Sequence, residues 1–237
     1  MSATVESGPA PFQRARVVLF GPVCPPTIFT YQLDTAEVER RERQQMAPLL
    51  ARDVLEVLHK LPLGEAVPRS RLTDIDKRAL KRAPAGAVVR EGRWVTRLAA
   101  PPLRVRFALV EARDVGAGLV EVNRYARFCP RGLLLPGEPT DPVARAELHV
   151  QATYWGFGAY VPGKRPGQLR TLVDHRGYRA PHRGAGHWQL CEYVFAHAHP
   201  DNNPLPHGLA GGTGGTTPGS VTPPGSTFIP GEGDRYR

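Results

Sequence analysis

The chain has 237 residues, 41% of them apolar, and a formal charge of +9 from 31 basic and 22 acidic residues. That length and apolar share suit one large domain or two small ones with a true core, and exclude a mini-protein that needs disulfide or metal staples. No run approaches the roughly 18–20 apolar residues of a bilayer span, and the opening MSATVESGPAPFQRAR lacks the apolar region of a signal peptide, so a cytoplasmic or virion protein without a membrane partner is expected.

The charge is uneven. Residues 201–237 carry two arginines against three acids, a net −1, which leaves +10 on residues 1–200. A field of that sign favours polyanionic partners and raises encounter rates with them. All the basic residues except Lys60, Lys77, Lys81 and Lys164 are arginine; arginine suits bidentate phosphate contacts, and GC-rich coding produces the same bias. Cys24, Cys129 and Cys191 are odd in number, far apart and without CxxC spacing, so buried thiols are expected rather than a disulfide framework or a cysteine zinc site.

In chain order, residues 1–16 form an N-terminal arm, and Val17 to Phe20 is a short strand stopped by Gly21-Pro22. Residues 35–61 form the clearest helical zone, opened by Asp34 or Thr35 and striped by Met46, Leu49, Leu50, Val54, Val57, Leu58 and Leu61; Pro48 demands a kink or a break. A polar helix is expected from Arg71 to Arg82, carrying Lys77, Arg78, Lys81 and Arg82, and a hairpin over 87–98 about Glu91-Gly92. Helix, helix and basic hairpin together have the outline of a winged helix.

Alternation predicts strands at 103–109 and 120–128, then at 146–161, 168–173 and 187–199. The expected class is α+β, mainly antiparallel β with an N-terminal helical segment, in one basic domain over 17–200. From Asp201 the composition shifts, with 15 of the last 37 residues Gly or Pro. Such a segment cannot recover its ordering entropy alone, and is expected to be a tail or an arm that attaches to neighbouring subunits.

Two clusters suggest sites. Lys164 and Arg165, with Arg176, Tyr178, Arg179, Arg183 and Trp188, interleave cations and aromatic rings, a composition suited to phosphate contact and base stacking. His197-Ala198-His199-Pro200 ends the last expected strand, where residues two apart face one side and two imidazoles would meet one zinc ion. That spacing resembles the His-x-His-Pro-x6-Ser-x2-Asp signature of the JAMM zinc isopeptidases. The resemblance implies zinc on His197 and His199 and an upstream general base such as Glu147. His207 stands at the signature's Ser and Ala210 at its Asp, so the third ligand would have to be His207.

No Ser nucleophile elbow, Walker loop or paired-cysteine motif is present. The leading expectation is therefore a non-enzymatic subunit of a nucleoprotein assembly, binding RNA or DNA through a basic Arg/aromatic β surface and neighbours through its terminal arms. A strand ending in Gly-Pro, a helix, a sheet and Gly-rich turns are similar in outline to the RAMP subunits of CRISPR effector complexes. A virion or phage-tail structural protein and a His-based metal-dependent hydrolase are the alternatives.

Overall fold

The computed structural model describes residues 13–17, 25–165, 168–175 and 184–199. The chain is mixed α+β with a six-stranded and a three-stranded sheet. Strands β1 (Gln13–Val17) and β2 (Thr27–Leu33) open the large sheet as an antiparallel pair. Helix α1 (Thr35–Arg43) starts at Asp34, whose carboxylate accepts the Glu37 N–H at 3.1 Å. The expected break falls where Pro48 requires it: residues 44–51 are irregular and α2 (Arg52–Lys60) resumes the apolar stripe, burying Val54, Leu55, Val57 and Leu58.

Next come β3 (Ala66–Pro68), a single 3-10 turn at Arg69–Arg71, α3 (Asp74–Lys81) and the hairpin β4 (Val88–Glu91) and β5 (Trp94–Arg97). The hairpin turns on Gly92, at φ 56°, a left-handed conformation that favours glycine. The small sheet is antiparallel in the order β3-β5-β4 and shares a core with α2, α3 and Trp188. This segment therefore runs helix, strand, helix and hairpin.

Strand β6 (Leu103–Glu111) returns the chain to the large sheet, antiparallel to β2. Helix α4 (Val115–Arg124) leads to β7 (Arg131–Leu134), and α5 (Pro142–Trp155) leads to β8 (Gly158–Pro162). β6, β7 and β8 run parallel, while the edge strand β9 (Leu169–Val173) is antiparallel to β8. Helix α6 (Ala185–Ala198) closes the described chain. Three of the five pairings in the large sheet are antiparallel, with a parallel centre that alternation alone did not suggest.

Three expected strands are helices, each for a local reason. In 120–128 the decisive signal is Asp114, whose Oδ1 accepts the Ala117 N–H at 2.8 Å, followed by Val115, Leu119 and Val122 at helical spacing. In 146–161, Asp141 caps and Pro142 opens α5, and Gly156 at φ 70° ends it, so only residues 158–162 form a strand. Residues 187–199 are α6, apolar on most sides because Trp188 packs into the core of the small sheet while Leu190, Cys191, Val194 and Phe195 pack into that of the large one. A helix between two cores has no one-sided stripe to betray its period.

Gly118 shows how tightly α4 lies on the sheet. A Cβ there would sit 2.6 Å from both the Ala112 Cβ and a Leu133 methyl. Glycine inside a helix ordinarily costs about 0.5–1 kcal/mol relative to alanine, but here overpacking reverses the sign. Gly118→Ala is expected to destabilise the chain by about 1–3 kcal/mol in urea unfolding; a variant more stable than the parent would refute the close approach.

The two cores meet at a buried ion cluster. Arg41, 2% exposed, donates to Glu37 at 2.7 Å and to both carboxylate oxygens of Glu192 at 2.7 and 2.8 Å. Glu192 is 0% exposed and also accepts from the Trp188 indole N–H at 2.7 Å and the Leu49 N–H at 3.0 Å. One cluster thus ties α1, the chain before α2, and α6.

Candidate nucleic-acid interface

Helix α3 is anchored by a reciprocal cap. Thr73 Oγ1 accepts the Asp76 N–H at 3.2 Å, and Asp76 Oδ2 accepts the Thr73 N–H at 3.1 Å. Lys60 at the end of α2 donates to Asp76 Oδ1 at 2.8 Å, joining the two helices. The Lys60 bond, helped by Thr73, holds the Asp76 carboxyl below its ordinary pKa. A depressed carboxylate stabilises the fold above its ordinary pKa and loses that contribution as pH falls through the folded value. The anchor should therefore weaken in acid, and Asp76→Asn should flatten the stability-against-pH curve below about pH 4; a variant with the parent's acid profile would contradict this.

With Asp76, Ala79 and Leu80 buried, α3 turns Ile75, Arg78, Lys81 and Arg82 outward and leaves Lys77 half-buried. The hairpin is pinned to α3 by the Arg90 guanidinium, which donates to the Leu80 carbonyl at the C-terminal end of the helix. The 3-10 turn is tied to the same hairpin by the Arg69 N–H, which donates to the Arg93 carbonyl at 2.8 Å. Beyond the turn, the Arg93 guanidinium lies 5.5 Å over the exposed Trp94 ring.

These three elements enclose a cleft of about 60 Å³ lined by Arg69, Lys77, Lys81 and Arg90 over an apolar floor of Leu72, Leu80 and Val95. No carboxylate lines it. Among the described residues, Arg69, Arg71, Arg78, Lys81, Arg90 and Arg93 have no carboxylate within ion-pair distance, whereas Lys77 meets Asp74 at 3.0 Å and Arg82 pairs with Asp53. Arg69 and Lys81 above the apolar floor offer charge-assisted hydrogen bonds to a phosphate oxyanion, with Lys77, shared with Asp74, and Arg90, engaged at the Leu80 carbonyl, adding positive charge beside them.

Of the residues expected from sequence, Lys77 and Lys81 line the cleft, Arg78 lies on the outer face of α3, and Arg82 faces α2. Lys164 and Arg165 are exposed in the β8–β9 turn of the other sheet. Trp188 is 3% exposed, with its indole N–H on Glu192 and the Arg97 guanidinium 5.4 Å over its ring, so the expectation of base stacking gives way to a core role. Arg176, Tyr178, Arg179 and Arg183 lie outside the described residues. Arg69 and Arg90 were missed; the dense Arg69-Ser70-Arg71 triplet and the basic hairpin were the signals available.

The histidine pattern changes character with the helix. His197 is on α6, with Nδ1 2.7 Å from the Tyr193 carbonyl, and His199 is its C-cap, packed against Phe195 and Tyr31. Two residues apart on a helix lie about 200° round the axis, so the shared strand face that would bring both imidazoles to one metal is lost. Among the described residues no three His, Cys, Asp or Glu side chains form a metal-holding group; His207 lies outside them. Cys129 and Cys191 are buried, and burial pushes the Cys129 thiol well above its ordinary pKa; Cys24 lies outside the described residues. No described helix is long and apolar enough to cross a membrane.

No protein-family model, curated protein or solved structure matches the chain.

Proposed function

We propose that the protein is a nucleic-acid-binding subunit that grips a duplex phosphate backbone through α3, the 3-10 turn before it and the β4–β5 hairpin. The observation that carries this reading is the convergence of Arg69, Lys77, Lys81 and Arg90 on one cleft with no acid in its wall. Helix α3, eight residues long, has the diameter of any α-helix with its side chains, about 10–12 Å, which a B-DNA major groove about 12 Å wide admits. Its outer face presents Arg78 beside Ile75, which is 69% exposed. An arginine suits a guanine edge and an exposed aliphatic group suits a thymine methyl. The winged-helix outline supports the same placement, with the hairpin as the wing.

The role in neighbour binding expected of residues 201–237 lies outside the described residues, and the proposal is confined to nucleic acid. Its direct test is fluorescence anisotropy of a labelled blunt duplex with the full chain at low salt. Saturable binding that weakens as salt is raised is expected; a folded chain that leaves the duplex free at low salt would overturn the reading.

A further inference from the structure

The large sheet carries its described helices on one face. Val122 of α4 and Leu148 and Ala152 of α5 join one core cluster with Ala108, Leu133 and Ala159 of the sheet, so the two crossover helices share a side, as right-handed crossovers that progress the same way require. Helix α6 joins them there, packing with Phe29, Ala108, Val110, Leu133, Ala159 and Val161. The other face alternates with that set and carries Ile28, Phe107, Leu109, Gly132, Leu134, Gly158 and Tyr160, none of which joins the core cluster. Among the described residues no helix packs on it.

The centre of this face is a prepared aromatic seat. A Cβ on Gly132 would come 2.6 Å from the Tyr160 ring, and one on Gly158 2.6 Å from its hydroxyl, so the ring lies over the two glycines as over a floor. The Tyr160 hydroxyl is 3.1 Å from His175 Nδ1. Phe107 stands edge-on to both rings, its centroid 6.0 Å from Tyr160 and 5.2 Å from His175. Both Phe107 and Tyr160 are half-buried.

Cations flank the seat from two directions. Arg104 is exposed on β6, where Arg106 donates to Gln32 at 2.7 Å, and Arg14 is exposed on β1, while Lys164 and Arg165 are exposed beyond the end of β8. Glu111, the carboxylate on these strands, is already engaged by Arg16 at 2.9 and 2.6 Å, and the exposed Asp174 carboxylate beside the seat lies 3.3 Å from His175 Nδ1. A flat aromatic seat with cations on either side is the chemistry that receives single-stranded nucleic acid, the bases stacking and the phosphates running to the cations.

We propose that this sheet face, on which no described helix packs, binds single-stranded nucleic acid, one base stacking on Tyr160 between Phe107 and His175. The inference deepens the nucleic-acid reading: α3 and its hairpin take a duplex, and the sheet takes an unpaired extension or a separate strand. Lys164 and Arg165 acquire a place here that the α3 cleft does not give them.

The test uses the full chain with two probes, a blunt duplex and a short oligothymidylate. Tyr160→Leu keeps an apolar cover over the glycines but removes the π face, and Tyr160→Phe keeps the ring. Tyr160→Leu should weaken oligothymidylate binding by roughly tenfold or more, Tyr160→Phe should bind within about twofold of the parent, and duplex affinity should stay unchanged in both. Equal oligothymidylate affinity for Tyr160→Leu and the parent overturns the inference. Should Tyr160→Leu fail to fold, a 5-iodouracil oligonucleotide photocrosslinked to the parent chain decides. A crosslinked peptide containing Phe107 or Tyr160 supports the seat, and crosslinks confined to other peptides refute it. Duplex binding without oligothymidylate binding refutes the sheet site alone; the reverse refutes the α3 interface alone.

Discussion

Replacing Arg41 by methionine is expected to destabilise the chain by about 3–5 kcal/mol, read as a lower urea midpoint. The guanidinium is buried with Glu37 and Glu192 at 2.7 Å on either side, and it also donates to the Ala100 carbonyl at 2.8 Å. Burial opposes its charge, but the bonds from Glu192 and then Glu37 outweigh burial and raise the Arg41 pKa. Removing it leaves two carboxylates close together. Glu37 keeps Arg40 at 2.7 Å, while Glu192 is left with two neutral donors, the Trp188 indole and the Leu49 N–H. An exposed pair sets the scale: Arg52 and Glu56, each 51% exposed at 3.0 Å, should contribute about 0.3–0.5 kcal/mol. Arg41→Met costing no more than Arg52→Met would contradict the account. Combining Arg41→Met with Glu192→Met should cost less than the sum of the two, because the stranded charge goes with its partner.

The second large effect is on binding. Arg69→Glu combined with Lys81→Glu should weaken duplex affinity by roughly a hundredfold to ten-thousandfold at low salt, since each charge-assisted bond contributes about 1.5–3 kcal/mol. Both side chains are exposed, and neither belongs to the core of the small sheet, so thermal unfolding should be nearly unchanged. Arg52→Glu makes the same charge change at one position outside the cleft and should cost only a few-fold through the general field. Comparable losses at Arg52 and in the cleft would mean that net charge, rather than the cleft, holds the duplex.

Local signals with a mechanism were legible. Pro48 marked the break between α1 and α2, Glu91-Gly92 marked the hairpin, and the Leu103–Leu109 alternation marked β6. The sequence also placed Lys77 and Lys81 on the helix whose cleft they line. Misreadings came where two periods competed. Val120, Val122, Ala126 and Phe128 alternate like a strand, yet Asp114 four residues ahead of Gly118 starts a helix whose buried side is Gly118 and Val122. The period of α6 was hidden because both its neighbours are apolar. The parallel centre of the large sheet followed from these helices, since each parallel pair needs a crossover that a strand cannot supply.

At the site, charge was legible and convergence was not. Arg90 joins Lys77 and Lys81 only because the hairpin folds back on the last turn of α3, a contact made through the Leu80 carbonyl that has no trace in composition. Tyr160 follows Gly158 by two residues on one strand, but Gly132, which completes the floor under its ring, comes from a different strand. For His197 and His199 the strand spacing rule does not apply, because His197 lies on a helix and His199 caps it.

The central claim is that a specific cation cleft holds phosphate, and the salt dependence of duplex affinity tests it most directly. Plotting log affinity against log salt concentration for the parent and for Arg69→Ala combined with Lys81→Ala should give straight lines, with the variant's slope shallower by about 2, near one for each lost phosphate contact. Parallel lines of equal slope would show that Arg69 and Lys81 touch no phosphate, and would contradict the account.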